Sequence, residues 1–154
     1  MFAKYAKGDV MDQDGIEAFF NDLGVNAQTD IVAILVAQYC EAAAMGEFKQ
    51  AEFVKGCQAL GCDNLQAWKD VLKNRLRTEL KQEANFAKLY KFTFGFATER
   101  GFKNVEVETA CALWELFLGS QCQFLKKWVS FLNEEKKDLK VITRDTWDLF
   151  YDLV

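Results

Sequence analysis

Apolar residues recur along most of the chain at the spacing of a helix that buries one face. Ile16, Phe19, Phe20 and Leu23 stand at i, i+3, i+4 and i+7, which predicts a short amphipathic helix closed by Gly24. Ile31, Ile34, Leu35 and the alanines up to Ala44 predict a longer helix that Gly46 ends. Phe53, Cys57 and Leu60 mark a third, stopped by Gly61. Asp63 followed by Gln66 has the form of a capping box, and it opens a helix striped with Leu65, Trp68, Leu72, Leu76 and Leu80. The segment Phe86 to Ala97 (FAKLYKFTFGFA) is apolar on nearly all sides, so it is predicted to be a central helix with neighbours all round. Phe92, Phe94 and Phe96 also alternate as in a strand. The helical period of Phe86, Leu89, Tyr90, Thr93 and Ala97 runs over a longer window and prevails. Past a turn near Gly101, one helix carries Ala110, Leu113, Trp114 and Phe117 up to Gly119. The next carries Phe124, Leu125, Trp128, Phe131 and Leu132. Thr143 is placed to cap a last helix holding Trp147, Phe150, Tyr151 and Val154. The expected fold is all-α: one compact domain over residues 1–154, of about eight helices, with room for two lobes around the Phe-rich helix. The last helix stops without a C-cap, the pattern of a chain cut inside a longer parent.

Two stretches have the outline of calcium loops without the ligands. In Glu41 to Phe53 (EAAAMGEFKQAEF), placing Gly46 at loop position 6 puts Phe48 at the apolar position 8 and Glu52 at position 12. Calcium also needs oxygen ligands at positions 1, 3 and 5. Those are Glu41, Ala43 and Met45, and neither Ala nor Met coordinates a hard cation. Asp12, Asp14 and Gly15 (DQDG) look like a fragment of a second such loop with Gly15 as its turn glycine. There the bidentate acid is missing, and both aspartates suit the first turn of a helix. Ile142, five residues before Trp147, repeats the rhythm. The expectation is degenerate EF-hand-like lobes that keep the shape without an ion.

The composition narrows the chemistry. The chain has no His and no Pro, so His-dependent nucleophilic catalysis cannot be assembled and turns fall to Gly, Asn, Asp and Ser. No phosphate loop or GxGxxG fingerprint occurs. A net charge of −4 argues against a nucleic-acid partner, and the basic run Lys69 to Lys81 reads as a solvated helix face. No apolar stretch reaches membrane-spanning length, and the first ten residues lack the apolar core of a signal peptide. The five cysteines (Cys40, Cys57, Cys62, Cys111, Cys122) form no CxxC pair. They read as buried reduced thiols of a nuclear and cytoplasmic protein, with no metal and no cofactor.

Six stretches together resemble the potentiating-neddylation (DCUN1) domain of the defective-in-cullin-neddylation family: DGIEAFFNDL, GEFKQAEFVKGCQALGCDN, FAKLYKFTFGFA, ACALWELFL, CQFLKKWVSFL and ITRDTWDLF. The likeness runs from about Gly15 to Leu153. It implies a scaffold, not an enzyme. Such a protein binds the C-terminal winged-helix region of a cullin and the Nedd8-conjugating enzyme (E2) at once, so that transfer gains proximity and orientation. It also implies an apolar slot for the acetylated N-terminal Met of the E2, because acetylation removes a charge that is costly to bury. Carried over position by position, Ile16 belongs to the slot, Ala33 and Val36 to its long-helix wall, and Met45, Gly46 and Phe48 to the loop beside it. Phe96, Leu113 and Leu116 belong to the opposite wall. Ala33 and Gly46 are smaller than the usual family residues and Leu113 replaces an aromatic, which implies a slot of altered width or shape. The family's cullin-facing patch has two acids and an alanine. Only the first acid, Asp145, lies in this chain, where it equally fits a first-turn acid below Thr143. The resemblance implies a monomer. A helical adaptor, or an EF-hand-like protein, for a different partner is the alternative reading; a calcium sensor or an enzyme fits the residues less well.

Overall fold

A computed structural model describes residues 1–99 and 101–153. All of the expected helices form, and they divide between two units, Met1–Phe96 and Ala97–Val154, at the end of the Phe-rich helix.

The first unit runs α1 (Phe2–Tyr5), β1 (Val10–Met11), α2 (Gln13–Asp22), α3 (Val32–Tyr39), β2 (Phe48–Lys49), α4 (Gln50–Leu60), α5 (Leu65–Val71), a π-helical turn (Leu72–Leu76), α6 (Arg77–Leu80) and α7 (Glu83–Ala97). Asp12 starts α2 as its N-cap, accepting the Gly15 N–H at 2.9 Å, with Asp14 in the first turn. Gly24 ends that helix in the left-handed region at φ +76°. Its N–H reaches the Asn21 carbonyl, and the Val25 N–H reaches that of Phe20 at 2.9 Å. This pair of bonds satisfies carbonyls that the helix end would leave orphaned.

Three local expectations are corrected. The helix expected to reach Ala44 stops at Tyr39. There Glu41 adopts φ +52°, while its N–H bonds Gln38 and the Ala42 N–H bonds Ala37, both at 3.0 Å. This is the same closure as at Gly24, made by the one non-glycine residue with positive φ among those described. Secondly, the cap of α5 is Asn64, whose side-chain oxygen accepts the Ala67 N–H at 2.9 Å. Asp63 instead accepts from the Asn64 amide. Thirdly, Gly15 is not a loop glycine but lies inside α2. A Cβ there would collide with the Tyr5 carbonyl oxygen and stand 2.9 Å from Met11 Cγ, so its missing side chain is what lets α1 approach. The left-handed turn glycine of that loop is Gly8, at φ +69°.

β1 and β2 pair antiparallel, with Val10 opposite Lys49 and Met11 opposite Phe48. Each strand leads into a helix, so two helix–strand–helix arms meet back to back at this ladder. Phe19 stands at the centre of the aromatic core. Its ring lies 5.4 Å from Tyr5, 5.3 Å from Phe53 and 5.6 Å from Trp68, each edge-on, the arrangement ring quadrupoles favour. Trp68, Leu72 and Leu76 of the expected stripe are buried along the run from α5 through the π-turn.

The second unit repeats the plan with β3 (Val105–Glu106), α8 (Val107–Leu118), α9 (Leu125–Ser130), a π-helical turn (Phe131–Glu135), β4 (Val141–Ile142) and α10 (Arg144–Leu153). Val105 pairs with Ile142 and Glu106 with Val141, again antiparallel. The rings of Trp114 and Trp147 stack at 5.5 Å, and Phe150 lies 4.8 Å from Trp114 and 5.4 Å from Trp128. The expected contribution of Val154 to the last helix lies outside the described residues.

All five cysteines are free thiols, four of them buried and Cys57 half-buried. Burial pushes the Cys40 thiol up to about 12, which leaves it protonated and unreactive at neutral pH. Among the described residues no helix is long and apolar enough to cross a membrane.

Candidate functional site

The loop between α3 and α4 carries the densest group of expected site residues. It begins at the left-handed Glu41, whose carboxylate pairs with Lys55. It ends at Glu52, the acid expected at loop position 12. One Glu52 oxygen accepts the Ala43 N–H and the other the Lys49 N–H, both at 2.9 Å. The carboxylate therefore closes the loop on its own backbone and caps α4 at the same time. Among the described residues no group of three His, Cys, Asp or Glu side chains is placed to hold a metal ion.

Within that loop the Met45 N–H donates to the Phe96 carbonyl at 3.1 Å, which ties the loop to the last turn of α7. Met45, expected in the loop beside the slot, and Phe96, expected on its opposite wall, are thus brought together through the backbone. Met45 is 43% exposed, whereas Phe96 is buried. Gly46 has φ +89°, and a Cβ there would stand 3.2 Å from Gln13 Oε1. Its small size therefore answers to the backbone first. Ile16, Ala33, Val36 and Phe48 are buried, Val36 and Phe48 almost completely, and Gly46 is half-buried, so Met45 is the most exposed member of the first-unit set. Leu113 and Leu116 belong to the second unit, on α8, the former buried and the latter half-buried.

Asp145 stands exposed in the first turn of α10. Thr143 caps that turn as expected, its hydroxyl accepting the Thr146 N–H at 3.3 Å. An acid here complements the helix dipole and is presented to solvent at the same time.

A hydrogen-bonded charge network on the first unit was not foreseen. Arg77 grips Asp30 with two parallel bonds of 2.7 and 2.6 Å, and Asp30 also accepts the Val32 N–H at 3.1 Å. Burial acts to raise the Asp30 pKa, but the Arg77 fork and the Val32 N–H outweigh it and hold the carboxyl below its usual range. Nothing in the spacing of two residues 47 apart announces such a pair.

Comparison with known proteins decides what these features belong to. The family described as cullin binding matches residues 67–154, from α5 through α10. The chain is a member of that cullin-binding, defective-in-cullin-neddylation family. It is 33% identical to defective in cullin neddylation protein 1 of Yarrowia lipolytica (strain CLIB 122 / E 150), across 100% of this chain and 64% of that protein. It is 37% identical to DCN1-like protein 3 of Homo sapiens and of Rattus norvegicus, across 97% of this chain and 50% of each relative. The chain thus spans between half and about two thirds of the length of these family members. The family match covers Asp145 and all of α10.

Proposed function

We propose that this chain serves cullin neddylation as a non-catalytic scaffold, holding a cullin and a Nedd8-conjugating E2 so that the modifier is delivered to the cullin. The observation that carries the reading is Asp145: an exposed acid on a capped helix, inside the segment whose family is described as cullin binding. A carboxylate carried on a capped helical turn is placed to pair with a basic side chain on the winged-helix region of the cullin. On the first unit, the loop anchored to Phe96 offers Met45 as the entry point for the acetylated N-terminal Met of the E2. Ile16, Ala33, Val36, Gly46 and Phe48 supply the small and apolar surroundings that suit a neutral chain end and penalise a charged one. The protein acts as a monomer in nucleus and cytoplasm and contributes no nucleophile or proton donor of its own.

Calorimetric titration with N-acetylated and free N-terminal E2 peptides tests the E2 half. The acetylated peptide is expected to bind at least about tenfold more tightly, the cost of bringing one ammonium out of water. Equal affinities remove the E2 half of the proposal. Pull-down of the cullin winged-helix fragment by wild type, and its loss in Asp145→Lys, tests the cullin half.

A further inference from the structure

The end of α4 draws two side chains together through the main chain. Gly61 takes the left-handed conformation at φ +69°, and its N–H and that of Cys62 both turn back to the Cys57 carbonyl, the latter at 2.9 Å. This six-to-one bond is the mark of a Schellman close, in which the side chains at its two ends pack on each other. Here both are thiols. The hydrogen bond and the covalent lengths flanking it hold the two Cα atoms within about 6.8 Å, and disulfides span Cα separations of roughly 4.4–6.8 Å. The two sulfurs differ in access. Cys57 is half-buried, whereas Cys62 is buried with its S–H directed at the Leu60 carbonyl, 3.7 Å away. A thiol is a weak donor, so a χ1 rotation that gives up this contact is cheap. The Cys62 thiol is raised first by burial and next by the neighbouring Cys57. Burial raises the Cys57 pKa as well, and the indole N–H of Trp68 works against it by favouring the thiolate. Trp68 is fully buried, and this N–H completes no hydrogen bond in the reduced protein.

We propose that Cys57 and Cys62 are a redox-modification site, closing to a reversible disulfide by reaction with a small-molecule disulfide such as oxidised glutathione. The site is independent of both partners of the scaffold. The Cys57 thiolate attacks one sulfur of the oxidant, whose S–S bond breaks and releases one glutathione thiolate. Cys62 then loses its proton and attacks the Cys57 sulfur, which releases the second glutathione. Two electrons pass from the protein thiols to the oxidant, and the two protons end on the two glutathione thiols. The second step is intramolecular, so proximity offsets the disfavoured ionisation of a buried thiol. Cys40 stays outside the exchange, fully buried with its sulfur packed against Gly56.

The test is thiol mapping. The folded chain is equilibrated with mixtures of reduced and oxidised glutathione, quenched in acid, alkylated in denaturant and digested with trypsin. Both cysteines fall in one peptide, residues 56–69, bounded by Lys55 and Lys69. Closure therefore shows as that peptide lacking two hydrogens and taking no alkylating agent. It is expected to close while Cys40, Cys111 and Cys122 are still alkylated, with an equilibrium constant at least about tenfold larger than in the urea-unfolded chain. Cys62→Ser is expected to retain one glutathione on Cys57, and Cys57→Ser to leave Cys62 free. The proposal is overturned if the wild-type peptide stays fully alkylated, carries glutathione without closing, or is joined to the peptide of Cys40. Closure no more favourable than in urea overturns it too, because the helix end would then contribute nothing. The wild-type peptide decides the matter even where a variant folds poorly.

Discussion

Replacing Gly15 by Ala sets two physical effects against each other. Ala is the better helix former, and inside a helix this exchange stabilises by up to about 1 kcal/mol. Here the new Cβ would fall inside contact with the Tyr5 carbonyl oxygen, 2.9 Å from Met11 Cγ and 3.2 Å from the Tyr5 carbonyl carbon. Comfortable carbon contacts begin near 3.5 Å. A backbone carbonyl cannot rotate aside, so α1 must shift or let go. If α1 shifts in place, overpacking of this kind costs about 1–3 kcal/mol. If it detaches, the buried Tyr5 returns to water at about 1.5–3 kcal/mol, and its edge contact with Phe19 and its hydrogen bond to Asp22 are lost as well. The cheaper route sets the cost, and propensity offsets part of it. Gly15→Ala is therefore expected to destabilise by about 1–2 kcal/mol, lowering the melting temperature by roughly 2–8 °C for a chain of this size. Differential scanning calorimetry reads this directly. Equal or higher stability would refute the reasoning, because it would mean that α1 does not approach α2 as described.

Gly56→Ala is expected to destabilise for the same kind of reason, since its Cβ would collide with Cys40 Sγ. Cys40→Ala added to it should restore part of the loss, and a double-mutant cycle in urea that shows no coupling removes the explanation. The depressed Asp30 pKa contributes stability that is present above the unfolded value near 4 and is lost as pH falls through the lower folded value. Asp30→Asn should therefore lower stability at neutral pH by on the order of 1 kcal/mol and flatten the decline below about pH 4. Thermal melts across pH 2–7 that run parallel for the two proteins would contradict this. Glu52→Ala releases the Ala43 and Lys49 N–H groups and is expected to cost about 1 kcal/mol, as a lost cap does. Calcium added to wild type should leave the melting temperature where it is.

Much of the helical architecture was legible because burial imposes a period. Leu65, Trp68, Leu72 and Leu76 could be read as one stripe without knowing what they pack on. What escaped was whatever depends on a single backbone torsion or on a partner far along the chain. The alanines from Ala42 to Ala44 are good helix formers, and nothing in them shows that Glu41 takes the left-handed conformation before them. Gly15 looked like a turn glycine because Asp and Gly cluster there. Its actual reason, the nearness of the Tyr5 carbonyl, is a tertiary contact. Asn64 and Asp63 are near-equal caps by propensity, so the choice between them was beyond local rules. At the site, the spacing placed Asp145 beneath Thr143 correctly. The bond from the Met45 N–H to the Phe96 carbonyl joins main-chain atoms and leaves no trace in side-chain identity.

The Glu52 carboxylate has one further implication. In a signalling hand the arms await an arriving ion, and their posture reports its concentration. Here the acid has already committed both oxygens to its own main chain. The posture of the arm is thus set at folding and carries no message about the ionic state of the cell. Such a part behaves as a fixed bracket whose angle is decided once, by the bonds Glu52 makes.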